Sequence, residues 1–128
     1  MSISKSYLIE LDHETKNTSR ILEQIPDDKL DWRPHSKSMS LGELAAHVVE
    51  LHNWVSKAIP KDIFDFKVDY QPHKVKSVNE LKAILSEGLV ANRAAIENLK
   101  EEDWFKEMPL ENQEDEKISI FRNNWCVF

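Results

Sequence analysis

The sequence predicts an all-α protein, an up-and-down bundle of long helices. Three observations carry that expectation. Apolar residues recur at steps of three and four along three separate stretches, Ser40-Leu-Gly-Glu43 and Ser77-Val-Asn-Glu80 read as capping boxes, and only 2 of 128 residues are glycine.

The first helix is expected from about Ser4 to Gln24, ending before Pro26, with an inner stripe of Leu8, Leu11, Thr15, Thr18, Leu22 and Ile25. Two threonines inside that stripe admit two readings. Each hydroxyl bonds its own helix backbone, the favoured reading for Thr18, or the pair lines a small polar pocket in the bundle. Residues 26–40 have no helical period. In that connection Leu30 and Trp32 are expected to look inward, and Pro34 keeps Arg33 extended.

The second helix follows the first capping box, from Leu41 to about Ile59, with Leu41, Leu44, Val48, Leu51 and Val55 as its stripe and Pro60 as its stop. From Asp62 to Tyr70 the period changes to two, which predicts an extended segment along one side of the bundle. The third helix runs from about Ser77 to Leu99. Its stripe is Leu81, Leu85, Gly88, Asn92, Ala95 and Leu99, widened by Ile84, Leu89 and Ile96. Gly88 costs a mid-helix position about 1 kcal/mol relative to alanine, which a close helix crossing would offset. After Pro109 the pattern degrades into an acidic loop and an apolar stretch, KISIFRNNWCVF, readable as a short strand or a failed helix. The domain reading is therefore a bundle over 1–110 and an atypical tail over 111–128. The stripes look cut for four helices.

The formal net charge of −6, with basic residues scattered singly among acids, argues against nucleic-acid and anionic-membrane partners. A single cysteine, Cys126, permits no disulfide within one chain, and no stretch reaches the length of a membrane span. The expectation is a soluble cytoplasmic protein. Cys126 has no flanking base, the serines are explained by helix caps, and Gly42 and Gly88 cannot make a phosphate loop.

The candidate for chemistry is His47. With Leu44 at the centre of the second helix, His47 falls about 60° to one side, beside Trp54 and Ala58. From there an imidazole can point into the bundle as a metal ligand. The plainer reading is a half-buried packing residue. Glu43 and Glu50 lie on the same flank, either one placed to orient the ring, with Glu50 also able to ligate. His52 is about 140° away and cannot assist. Among His13, His35, His47, His52 and His73 no two stand three or four apart, so no helix offers two imidazoles on one face. His13, His35 and His73 read as surface residues.

Ile25-Pro26, Leu30-Asp31-Trp32-Arg33-Pro34, Lys37-Ser38-Met39-Ser40-Leu41-Gly42-Glu43-Leu44 and His47-Val48-Val49-Glu50 resemble the signature of the DinB-like (DinB/YfiT) superfamily, with Asp65-Phe66 and Asp103-Trp104 in keeping with it. The similarity covers roughly Ile9 to Leu110. It implies a four-helix bundle, commonly dimeric, carrying nickel or zinc on three histidines. One of these corresponds to His47; the other two belong to a spaced pair on a fourth helix. Better understood relatives are transferases that use a low-molecular-weight thiol such as bacillithiol or mycothiol, and the family implies no DNA binding.

This chain departs from that pattern after Trp104, where no histidine pair follows. The expectation is a truncated member with an incomplete metal site: His47 as metal ligand, Glu50 and Glu43 in support, and Thr15, Thr18, Trp54 and Asn92 lining the pocket. Two functions follow from it, a metal-dependent transferase-type bundle or a non-catalytic helical remnant or dimerisation module. A missing fourth helix would leave apolar stripes open, to be covered by the tail or by a second copy in a homodimer. An unrelated acidic interaction domain rests only on Glu101–Asp103 and the loop near Glu111.

Overall fold

The computed structural model describes residues 2–58, 64–65, 74–105, 107–111 and 117–121. Three long helices stand among them: α1 (Ile3–Leu22), α2 (Leu41–Ala58) and α3 (Val78–Glu97). Short 3-10 turns at Asp27–Lys29 and Glu101–Phe105 follow α1 and α3.

Each helix start is capped by a side chain. Ser2 accepts from the Lys5 amide at α1, Ser40 from the Glu43 amide at α2, and Ser77 from the Glu80 amide at α3. At α2 the capping box is reciprocal, since the Glu43 carboxylate accepts from the Ser40 amide at 2.9 Å. At α3 Glu80 takes the Lys76 amide instead, and Asp27 accepts from the Val78 amide at 2.8 Å, tying the turn after α1 to the start of α3.

α3 is the central element. It packs against both α1 and α2, which touch each other over few residues. One apolar cluster joins Leu22, Leu30, Ala45, Ala46, Val49, Val78, Leu81 and Leu85; a second joins Leu11, Ile96 and Trp104, with Tyr7, Leu8 and Val55 against it. Between these clusters the helices turn polar or small residues toward one another: Thr15 and Thr18, His52 and Asn53, Gly88 and Asn92. The core is two apolar blocks separated by a polar layer.

The inner faces expected for α1 and α3 match the buried residues Leu11, Thr15 and Leu22, and Leu81, Leu85, Gly88, Asn92 and Ile96. The face expected for α2 does not. Leu44 is 50% exposed and Val48 and Leu51 are each 37% exposed, while Ala45, Ala46, Val49 and Glu50 are buried. At 100° per residue, Leu44 and Leu51 lie roughly 170° from the side that meets α3. The cause is size: the small Ala45 and Ala46 lie on the buried side with Val49, and the bulkier leucines are turned away. Trp32 is likewise 56% exposed rather than inward, whereas Leu30 is buried as expected. Gly88 does sit at a tight crossing, because a side chain there would overlap the Asn53 amide of α2.

Among the described residues three strands form one sheet. β1 (Phe64–Asp65) pairs parallel to β2 (Glu107–Glu111), which pairs antiparallel to β3 (Lys117–Phe121) with Met108 opposite Ile120. Phe64–Asp65 belongs to the segment expected to be extended, and of the two readings of the tail its KISIF portion is strand. The rest of the 62–70 segment, His73, most of the acidic loop and Cys126 lie outside the described residues. No described helix is long and apolar enough to cross a membrane.

Candidate functional site

The Leu30–Glu43 stretch, which carries the most distinctive sequence, is tied up in its own architecture. The Gly42 amide donates to the Leu30 carbonyl at 2.8 Å and the Leu41 amide to the Trp32 carbonyl at 2.9 Å. A Cβ on Gly42 would stand 3.1 Å from that Leu30 oxygen, so the close approach favours glycine. Arg33 donates to the Ser38 carbonyl at 2.7 Å and to both Glu43 carboxylate oxygens at 2.8 and 3.1 Å. The Arg33 guanidinium, and then the Ser40 amide, hold the Glu43 carboxyl below its ordinary range. Glu43 is thus engaged as a cap and an arginine partner at the start of α2. A cleft of about 230 Å³ opens beside it, lined by Leu30, Asp31, Arg33, Glu43 and Lys74 among others.

Beyond Glu43, α2 carries its remaining candidates on two opposite flanks. His47, Glu50 and Trp54 share one flank. His47 and Trp54 are half-buried, Glu50 is only 3% exposed, and none of the three is without an interaction partner. A carboxylate is kept that deep only when a cation, a metal or hydrogen-bond donors compensate its lost hydration.

The other flank faces α1 and holds the polar layer. Thr18 Oγ1 and His52 Nε2 are 2.9 Å apart, so the Thr18 hydroxyl meets a neighbouring helix rather than its own backbone. Burial holds the His52 ring below its ordinary pKa, opposed by the Glu14 carboxylate on α1. Asn92, fully buried, accepts from the Ser56 amide at 2.9 Å and donates to the His52 carbonyl. Thr15 Oγ1 and Asn53 Oδ1 are buried with no hydrogen-bond partner among the described residues.

Thr15, Thr18 and Asn92 therefore belong to this layer, whereas Trp54 stands with His47 on the other flank. His52 is the member that the sequence did not single out. The signal available for the layer was polar residues, Thr15, Thr18 and Asn92, inside otherwise apolar stripes. His13 and His35 are exposed, as expected.

A trihistidine metal centre requires three converging donors. Among the described residues no three His, Cys, Asp or Glu side chains converge so as to hold a metal ion. His47 and Glu50, one turn apart on α2, supply two donor positions. The described residues do not make up such a centre by themselves.

These features define an α-helical bundle whose second helix bears a half-buried histidine after an Arg-Pro turn. The DinB superfamily pattern matches residues 10–121, and the chain belongs to that superfamily. Among solved structures it is similar to a DinB-like protein, YjoA, from Bacillus subtilis, at 16% sequence identity with a TM-score of 0.68. That alignment covers 95% of this chain and 78% of the Bacillus chain, and it speaks for the fold alone. No curated protein matches this chain in sequence.

Proposed function

We propose that this chain is a metal-dependent, thiol-transferase-type DinB bundle, with His47 as the ligand position and Glu50 as the carboxylate beside it. Nickel or zinc is the expected ion and a low-molecular-weight thiol the expected co-substrate. The site needs donors beyond those two. What supports this reading is the pairing of a half-buried His47 with the deeply buried Glu50 on one flank of α2. The test is elemental analysis of untagged protein, joined to thermal unfolding with added Ni²⁺ or Zn²⁺. Ion at 100 times its dissociation constant adds roughly 2.7 kcal/mol, a rise of about 10 °C for a domain of this size. The rise should vanish in His47→Ala. Metal-free protein whose unfolding ignores both ions would end the proposal.

A second reading, a non-catalytic dimerisation module, has its own observation in the exposed Leu44, Val48 and Leu51 on α2. A helix with two apolar faces has one more than a single neighbour can cover. Sedimentation equilibrium tests it beside the metal assay: a homodimer that holds no metal supports the module, and a monomer at tens of micromolar (on the scale of ordinary weak association) removes it.

A further inference from the structure

In a regular α-helix the Ser56 amide would donate to the His52 carbonyl, four residues back. Here the Asn92 side chain reaches from α3 and bonds both groups, accepting from Ser56 N at 2.9 Å and donating to His52 O at 2.5 Å. A carboxamide has the same donor and acceptor as a peptide unit, so it can stand in for one rung of a neighbouring helix. Two further features fall in the same turn. Ser56 Oγ donates to the Asn53 carbonyl at 3.1 Å, an acceptor that the Lys57 amide would use in a regular ladder. Asn53 itself lies over Gly88, where α3 has no side chain to hold α2 off. Asn92 is fully buried, so its two bonds are made away from water.

The geometry points to a built-in hinge in α2, latched by Asn92. On this reading the side-chain amide takes the place of the Ser56–His52 rung, and its two bonds fasten the last turn of α2, from Asn53 onward, to α3. Insertion of a side chain into the ladder is a recognised origin of helix bends, and such interruptions concentrate at functional positions. The hinge lies between His47 and Glu50 on one side and Trp54 on the other. Movement of the last turn would therefore carry Trp54 relative to His47, seven residues earlier on the same flank. The inference does not depend on a metal at His47.

The direct test uses the unaltered full chain. In a ¹³C,¹⁵N-labelled sample, through-hydrogen-bond couplings should connect the Ser56 amide nitrogen to the Asn92 side-chain carbonyl carbon. A coupling to the His52 carbonyl carbon in its place overturns the proposal. In Asn92→Leu, which fills the same space without polar atoms, the coupling should move to the His52 carbonyl as the helix closes its own rung. In Asn92→Asp, which keeps the acceptor and loses the donor, amide exchange over residues 54–58 should quicken roughly ten-fold or more, with Ala45–Glu50 unchanged. Equal quickening along all of α2, or none, would mean an ordinary buried asparagine and no hinge.

Discussion

The Asn53 side chain occupies the space above Gly88, at the point where α2 crosses α3. Alanine at residue 88 would gain about 1 kcal/mol of helix propensity, yet its methyl group would displace Asn53. Overpacking of this kind costs about 1–3 kcal/mol, so Gly88→Ala should be net destabilising by about 1 kcal/mol. Asn53→Ala removes both the obstruction and a buried oxygen that has no hydrogen-bond partner among the described residues. In urea denaturation the double variant should be more stable than Gly88→Ala alone, with a coupling of about 1 kcal/mol or more. Strict additivity would mean that Asn53 moves aside at no cost.

His52 should make stability depend on pH in one direction. Its folded pKa lies below the ordinary value, because burial disfavours the charged ring more than Glu14 favours it. The unfolded chain then binds more protons between the folded pKa and about 6.5, and unfolding free energy rises with pH across that window. Stability is retained above it and is lost as acid charges the ring, and the contribution levels off below the folded pKa. Urea midpoints from pH 5 to 8 should show this slope in the wild type and a weaker one in His52→Gln. Removing the opposing carboxylate with Glu14→Gln should steepen it. A His52→Gln slope equal to that of the wild type would place the titration elsewhere.

The orientation of α2 separates two sets of substitutions. Val49 is completely buried and Leu44 half exposed. Val49→Ala should therefore cost roughly 1.5–3 kcal/mol, and Leu44→Ala within about 1 kcal/mol, although leucine is the larger residue. If the exposed face joins two copies, Leu51→Glu should abolish association and leave the monomer folded. A Leu44→Ala loss exceeding that of Val49→Ala would put the core on the other side of the helix.

That reversal marks where the sequence was legible. On α1 and α3 most apolar residues fall in one stripe, with only Ile9, Ile21 and Val90 strongly exposed among the described residues, so the period identifies the buried face directly. On α2 they run round most of the helix, and the period cannot choose between a face of leucines and one of Gly42, Ala45, Ala46 and Val49. Large residues suggest a core by area, but small ones permit the closer crossing, and here the crossing with α3 prevails. The candidate site divides in the same way. His47 and Glu50 were legible because they share a flank by spacing alone. The contact between Thr18 and His52 joins residues 34 positions apart on helices that barely touch, and no local pattern encodes it.

Trp104 closes the far end of the bundle, and its two kinds of contact predict different losses. It is 1% exposed, its ring lies 5.2 Å from that of Tyr7, and its Nε1 donates to Ser4 Oγ at 2.9 Å. Beside it Glu101 accepts from the Ile3 amide at 2.6 Å, so the turn after α3 also caps α1. Trp104→Ala should cost about 3–5 kcal/mol, a large part of the roughly 5–15 kcal/mol that holds an ordinary domain. Ser4→Ala removes far less area and leaves the indole donor buried without its acceptor, for about 1–3 kcal/mol. Trp104→Phe deletes that donor along with part of the ring, so adding Ser4→Ala to it should cost almost nothing more. Urea denaturation of the three variants checks the cycle: a Ser4→Ala penalty that persists in the Trp104→Phe background would assign the serine's effect to the first turn of α1, and the tryptophan's to packing alone.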